Sequence, residues 1–177
     1  MYKKAVMDLK TAIVISLTLA ISGCNDYPGH KPFDPVKLSA NPSWGELANS
    51  VIGGDCNIDS INDRPGSNPT RNIIHKEQYL TVKGWAALSI LNSNSPSNIV
   101  IALKEKVANG TRRFVITDLV KRPDVAEYFK NPGAISTGFN AVIDLSGIPT
   151  GEYELEIFQN NRGVNTICQY TGQISIV

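Results

Sequence analysis

The chain has 177 residues, of which 42% are hydrophobic and 19% charged, a globular composition that excludes wholesale disorder. Its length suits one domain with a real core rather than two. With 17 basic and 16 acidic residues and no long basic run, it offers no electrostatic footprint for nucleic acid.

The chain opens with Lys3, Lys4 and Lys10, followed by an uncharged apolar run from Thr11 to Ile21. About eleven such residues fall short of a bilayer span and fit the core of an export signal. The run ends Ile21-Ser22-Gly23-Cys24. This resembles the lipobox of bacterial lipoproteins: a branched apolar residue, two small residues for a narrow peptidase pocket, then the acyl-accepting cysteine. The resemblance implies a signal peptide over 1–23, cleavage before Cys24, lipidation of Cys24 (palmitate) and attachment to a membrane through lipid. Losing Lys3, Lys4, Lys10 and Asp8 would leave 14 basic against 15 acidic residues, a net charge of −1. The residue after Cys24 is Asn25 rather than the Asp of the inner-membrane retention signal in enteric bacteria, which implies the outer membrane of the cell envelope.

The three cysteines agree with export. Lipidation would consume Cys24 and leave Cys56 and Cys168, an even remainder expected to pair as a disulfide in an oxidising compartment. Such a bridge closes a loop of about 110 residues, to which the chain-entropy model assigns roughly 4–5 kcal/mol. Two free thiols or a metal pair are the alternatives, and His30 and His75 stand too isolated to complete a zinc site.

Residues 24–50 read as a Pro-rich tether, interrupted by Pro28, Pro32, Pro35 and Pro42. Trp44 within it is expected to fold back onto the domain it flanks, with a binding aromatic as the other reading. Residues 51–177 read as the folded domain. Asn57 to Ile61 alternates as a short strand, followed by a turn-rich loop from Asn62 to Asn72. Tyr79 to Ala86 is a strand, and Asn92 to Asn98 a Ser/Asn loop. Ile99 to Leu103 and Arg113 to Ile116 flank Asn109-Gly110, a dipeptide suited to a tight hairpin turn. Pro123 to Lys130 is the helical candidate, with Pro at its start, Asp124 on the positive end of the dipole, and Asn131-Pro132-Gly133 as a stop. Strands follow at Gly138–Leu145, Glu152–Phe158, Val164–Gln169 and Gln173–Val177. Tyr153-Glu154-Leu155-Glu156-Ile157 alternates strictly, which predicts apolar residues inward and carboxylates on a wet face. Seven to eight short strands with one short helix predict an all-β sandwich.

The order of Cys56-Asn57-Ile58-Asp59-Ser60-Ile61-Asn62, Val82-Lys83-Gly84-Trp85-Ala86, Arg122-Pro123-Asp124-Val125-Ala126, Gly138-Phe139 and Leu145 to Tyr153 resembles an immunoglobulin-like accessory module of bacterial envelope proteins. Such modules include the periplasmic ends of some membrane glycosyltransferases. The likeness runs from about Cys56 to Val177. It implies an immunoglobulin-like β-sandwich and an accessory role, and carries over no catalytic residue. In physical terms, Gly84 admits a neighbouring backbone while the Trp85 indole fills the core beside the disulfide. Arg122, held extended by Pro123, is placed to reach Asp59 or Asp124.

Catalytic templates are missing from the sequence: no Gly-x-Ser-x-Gly elbow, phosphate loop, His-Glu-x-x-His helix or dinucleotide turn is present. His75, beside Lys76 and Glu77, reads as a solvated turn residue. Asp55, Asp59 and Asp63 are faintly like a calcium loop but lack its closing Glu and central Gly, so turn chemistry is the first reading and a weak cation site the second. Glu154 and Glu156 share one strand face, as a solubility device more often than a glycosidase pair. The expectation is a non-enzymatic lipoprotein without cofactor or metal, acting as a binding or accessory module for an envelope protein or a glycan. Alternatives are an inhibitor of a lysozyme-like hydrolase, inserting the loop Asn62–Asn72 or Asn92–Asn98, and an envelope hydrolase with an unrecognised site.

Overall fold

The computed structural model describes residues 34–40, 47–66 and 72–177. The signal segment, the lipobox with Cys24, His30 and Trp44 lie outside the described residues. The strands are β1 (Val36–Lys37), β2 (Val51–Ile52), β3 (Asp55–Ile61), β4 (Arg64–Pro65), β5 (Asn72–Ile74) and β6 (Tyr79–Ala87). They continue with β7 (Asn98–Glu105), β8 (Arg112–Ile116), β9 (Asp118–Val120), β10 (Gly138–Asp144), β11 (Gly151–Asn161) and β12 (Val164–Ile176). One short helix, α1 (Pro123–Tyr128), follows β9. Two 3-10 turns cover Leu47–Asn49 and Pro132–Ser136.

These strands form two sheets, and the fold is an all-β sandwich. One sheet runs β1-β10-β6-β3-β4, with β9 also on β10; the other runs β2-β12-β11-β7-β8, with β5 also on β12. The long strands pair antiparallel. The two- and three-residue strands β1, β2 and β5 add in parallel at the edges. Between the sheets, Leu80 and Val82 of β6 and Phe139 and Ile143 of β10 meet Ile101 and Leu103 of β7 and Leu155 and Ile157 of β11. All eight are at most 1% exposed.

Each sheet also carries a smaller apolar cluster. On one, Trp85 and Phe129 meet edge to face at 5.3 Å over Val125, Ile90 and Ala134. On the other, Leu47 covers Val100, Ala102 and Phe158, with Phe114 and Ile167 beside them. Strand β7 is therefore apolar on both faces, which is why Ile99 to Leu103 reads as an unbroken apolar run.

The alternation of β6 corrects the expected place of Trp85. Leu80, Val82 and Ala86 face the inner core, so Trp85, one residue out of phase, belongs to the cluster under α1 and not to the core beside the disulfide. Residues 24–50 are likewise more than a spacer where they are described. Val36 and Lys37 pair with Ile143 and Asp144, Ser39 and Phe114 exchange two backbone hydrogen bonds of 2.8 Å, and Leu47 is buried. Pro35 stands directly before β1, an edge position where its missing N–H costs no ladder bond.

Three further details differ from the sequence reading. The β7–β8 connection is a longer loop, in which Glu105 N–H donates to Thr111 and Gly110 N–H to Val107. Asn109 takes the positive φ of 60°. Gly110 is needed instead for closeness, since a Cβ there would stand 2.0 Å from the Glu105 carbonyl oxygen. Helix α1 ends at Tyr128, with Lys130 turned to a φ of 50°. The two predicted C-terminal strands are one, β12, whose register shifts opposite Glu154 and Glu156.

Candidate functional site

Cys56 lies opposite Ala86 on β3, and Cys168 opposite Ile157 on β12. They form a disulfide with their Cα atoms 6.2 Å apart, stapling the two sheets across a sequence separation of 112. Both cysteines pack against the inner core.

The three aspartates of the faint calcium pattern are not brought together; each has a different partner. Asp55 Oδ2 accepts the Ile90 N–H at 2.8 Å. Asp63 pairs with Lys83 at 2.9 Å. Asp59 accepts from Arg122 Nη1, while Arg122 Nε and Nη2 hold both oxygens of Asp124 at 2.8 and 2.6 Å. That fork lowers the Asp124 carboxyl to about 2, chiefly through the hydrogen bond from Arg122, and the two carboxylates raise the guanidinium further above its ordinary value. Among the described residues, no three His, Cys, Asp or Glu side chains gather as a metal site requires.

Glu154 and Glu156 share one face, as their spacing predicts, but that face is wet only at Glu154. Glu156 is 3% exposed and receives a two-pronged hydrogen bond from Arg112, Nε to Oε2 at 2.6 Å and Nη2 to Oε1 at 3.1 Å. Lys104 Nζ stands 3.7 Å from both Glu154 and Glu156. The pair is part of a charge network over the sheet, because β8 lays Arg112 across β7 onto β11. His75 is exposed in the turn from β5 to β6, where its carbonyl accepts the Gln78 N–H.

Where they are described, the two loops considered for insertion lie at opposite ends of the sandwich. Asn62 sits where β6 begins, bonding the Tyr79 carbonyl and the Thr81 N–H. Ser97 N–H bonds the Asn160 carbonyl, beside Gln159, whose amide reaches the Asp55 carbonyl opposite Ala87 where β6 ends. The Ser/Asn loop spends its side chains internally. Asn161 Nδ2 donates to Asn94 Oδ1 and the Ser95 carbonyl, each at 3.0 Å, and Ser93 donates to Asn131. These bonds tie the loop to the β11–β12 hairpin and to the turn after α1.

At the other end, where β6 begins, a cleft of about 500 Å³ opens between β3–β4 and β5. Ile61 and Ile74, both buried core residues, and the more exposed Ile73 and Tyr79 contribute to its lining. Arg64, Glu77 and Gln78 supply polar groups, as does Asn72, which is 4% exposed with no hydrogen-bond partner for its Nδ2. Of these residues, Ile61 and Tyr79 stood out in the sequence as strand ends and Asn72 as a loop boundary, while Arg64, Ile73, Ile74 and Gln78 did not. They come from short segments between Ile61 and Tyr79 that carry no motif and meet only because β4 and β5 join different sheets.

Comparison with protein-family models, with curated proteins and with solved structures gives no match for the chain.

Proposed function

We propose that the chain is a lipid-anchored, non-catalytic binding or accessory module of the bacterial envelope, carrying an immunoglobulin-like sandwich. The observation that carries the anchor is the disulfide. Cys56 and Cys168 use each other, so the remaining cysteine is Cys24, the residue that ends Ile21-Ser22-Gly23-Cys24 after an apolar run. Asn25 behind it favours the outer membrane.

The strand order supports the immunoglobulin-like reading. Numbering the seven long strands in chain order, the fifth, second and first form one sheet and the seventh, sixth, third and fourth the other. Tyr153, near the start of the sixth, donates its hydroxyl to the Pro149 carbonyl four residues upstream at 2.8 Å. This is the arrangement of the tyrosine corner in immunoglobulin-like sandwiches. The disulfide departs from the antibody pattern by joining the first and last long strands. A non-catalytic role fits the side chains on which catalysis would draw: Asp59, Asp124 and Glu156 are held by arginines, and Asp55 by a backbone amide.

Mass spectrometry of the protein isolated from membranes tests the anchor. A mature N-terminus at acylated Cys24 is expected, with Cys24→Ser blocking processing or releasing the protein; any other N-terminus sinks the reading. Density fractionation of membranes tests the sorting, and inner-membrane density would reverse it. Pull-down with the acylated protein then identifies the partner.

A further inference from the structure

We infer that the cleft between β3–β4 and β5 is a binding site for one or two rings of a neutral saccharide. This rests on the binding-module reading above and names the ligand class of that module.

Its volume of about 500 Å³ falls within the range of small-ligand sites and leaves no room for a folded partner element. Arg64 and Glu77 bring one charge of each sign, so the lining selects neither an anion nor a cation. What remains is chemistry suited to hydroxyl groups, which both donate and accept. A guanidinium presents donors, a carboxylate acceptors, and the amide of Gln78 presents both. Asn72 lines the same cleft with its side chain buried, and its Nδ2 finds no acceptor within the protein.

Apolar surface completes the set. Ile73 and Tyr79, 53% and 56% exposed, give a sugar's C–H face something to rest on. The opposite end of the sandwich is also polar but makes a poorer site, because Asn161, Asn94, Ser93 and Asn131 are already bonded to one another or to nearby backbone. A protein partner fits the cleft less well, since interface hot spots concentrate in larger aromatic and apolar patches than this lining provides.

The test uses the full-length protein in detergent, isotope-labelled for NMR and titrated with glucose, N-acetylglucosamine, maltose and chitobiose at millimolar to tens-of-millimolar concentration. Saturable shifts at Asn72, Gln78 and Tyr79 with at least one sugar are expected. Tyr79→Ala and Arg64→Ala should each weaken binding about tenfold with Tm unchanged. Asn92→Ala, in the Ser/Asn loop at the other end, should leave binding unaltered. No saturable shift with any of these sugars, shifts confined to the Ser/Asn end, or a Tyr79→Ala and Arg64→Ala double variant that binds as the parent does would each overturn the site. Capture of a protein partner through the cleft in place of sugar would overturn it as well. The N-terminal mass of the same preparation reports acylation separately, so a failed cleft and a failed anchor are distinguishable.

Discussion

Arg122 and Asp59 are 63 residues apart in sequence, yet the guanidinium Nη1 of one donates to the carboxylate of the other while also reaching the Gly84 carbonyl. Arg122 is the residue before α1, and Asp59 lies at the β-bulge of β3 opposite β6. The contact therefore pins the crossover helix to the sheet it covers. Arg122→Ala removes hydrogen bonds to two carboxylates and is expected to cost about 2 kcal/mol, measured by urea unfolding. Arg122→Lys keeps the charge without the fork and should recover less than half of that loss.

The same fork makes a pH prediction. The Asp124 carboxyl is lowered in the folded state to about 2 from an ordinary value of 3.8. A depressed carboxylate contributes stability above its unfolded value and loses it as pH falls toward the folded one, so the window lies between pH 4 and pH 2. Asp124 is largely exposed, so the effect is small after screening. In the Arg122→Ala background, Asp124→Asn should no longer change the slope of stability against pH in that window. An unchanged contribution would assign the shift to the helix end instead.

Glu156 and Arg112 form the other ion pair with consequence, because one partner is buried and the other only half-covered. Arg112→Ala leaves a carboxylate that is 3% exposed with only Lys104 at 3.7 Å, and is expected to cost about 3 kcal/mol. Glu154→Ala, on the exposed partner, should cost no more than about 0.5 kcal/mol. Replacing both members, Arg112→Leu with Glu156→Leu, should regain most of the loss, since no unpaired charge remains. Denaturant midpoints of the three variants decide it.

Gly84 stands where two strands and a ring converge. A Cβ there would lie 2.2 Å from the Asn57 carbonyl oxygen and 2.8 Å from Phe139 Cζ. Neither the backbone of β3 nor a Phe139 that is 1% exposed has room to yield. Gly84→Ala is expected to destabilise by about 3 kcal/mol or to prevent folding, with Gly147→Ala, where nothing stands within 4 Å, as the open-space comparison. Gly147 has a φ of 82°, so its smaller cost would be conformational rather than steric.

The long strands were legible in the sequence because alternation or an unbroken apolar run reports the burial of a face against the core. Strands β1, β2 and β5 were not, since two or three residues hold their place through ladder bonds lent by β10 and β12. Alternation held at Trp85 and Glu156, but the burial expected from it did not, for a common reason. Both sheets bury residues on their outer sides, so an apolar residue need not face the core and a carboxylate need not face water. The pairing of Arg122 with Asp59 and Asp124 was readable because Pro123 fixes the backbone beside it. The cleft was not, because its residues carry no shared pattern and are assembled only by tertiary structure.

The disulfide supports the largest of these effects. Cys56 lies on the first long strand and Cys168 on the last, so the bridge closes most of the folded chain into one loop. In the unfolded state a crosslink over 112 residues removes a large share of chain entropy, about 5 kcal/mol in the entropic model. In the folded state the two sulfurs replace one another's solvent contact inside the core cluster. The paired variant Cys56→Ala with Cys168→Ala is thus expected to lose about 5 kcal/mol in urea unfolding, a large fraction of the stability of a domain this size. The denaturant slope m should rise, because the unfolded chain, freed of its link, exposes more surface. A change in midpoint with m unaltered would mean that the bridge acts through folded-state packing alone. Free-thiol counting on the unfolded, unreduced full-length chain supplies the independent check. Protein acylated at Cys24 should show none, and protein carrying an unacylated Cys24 should show one.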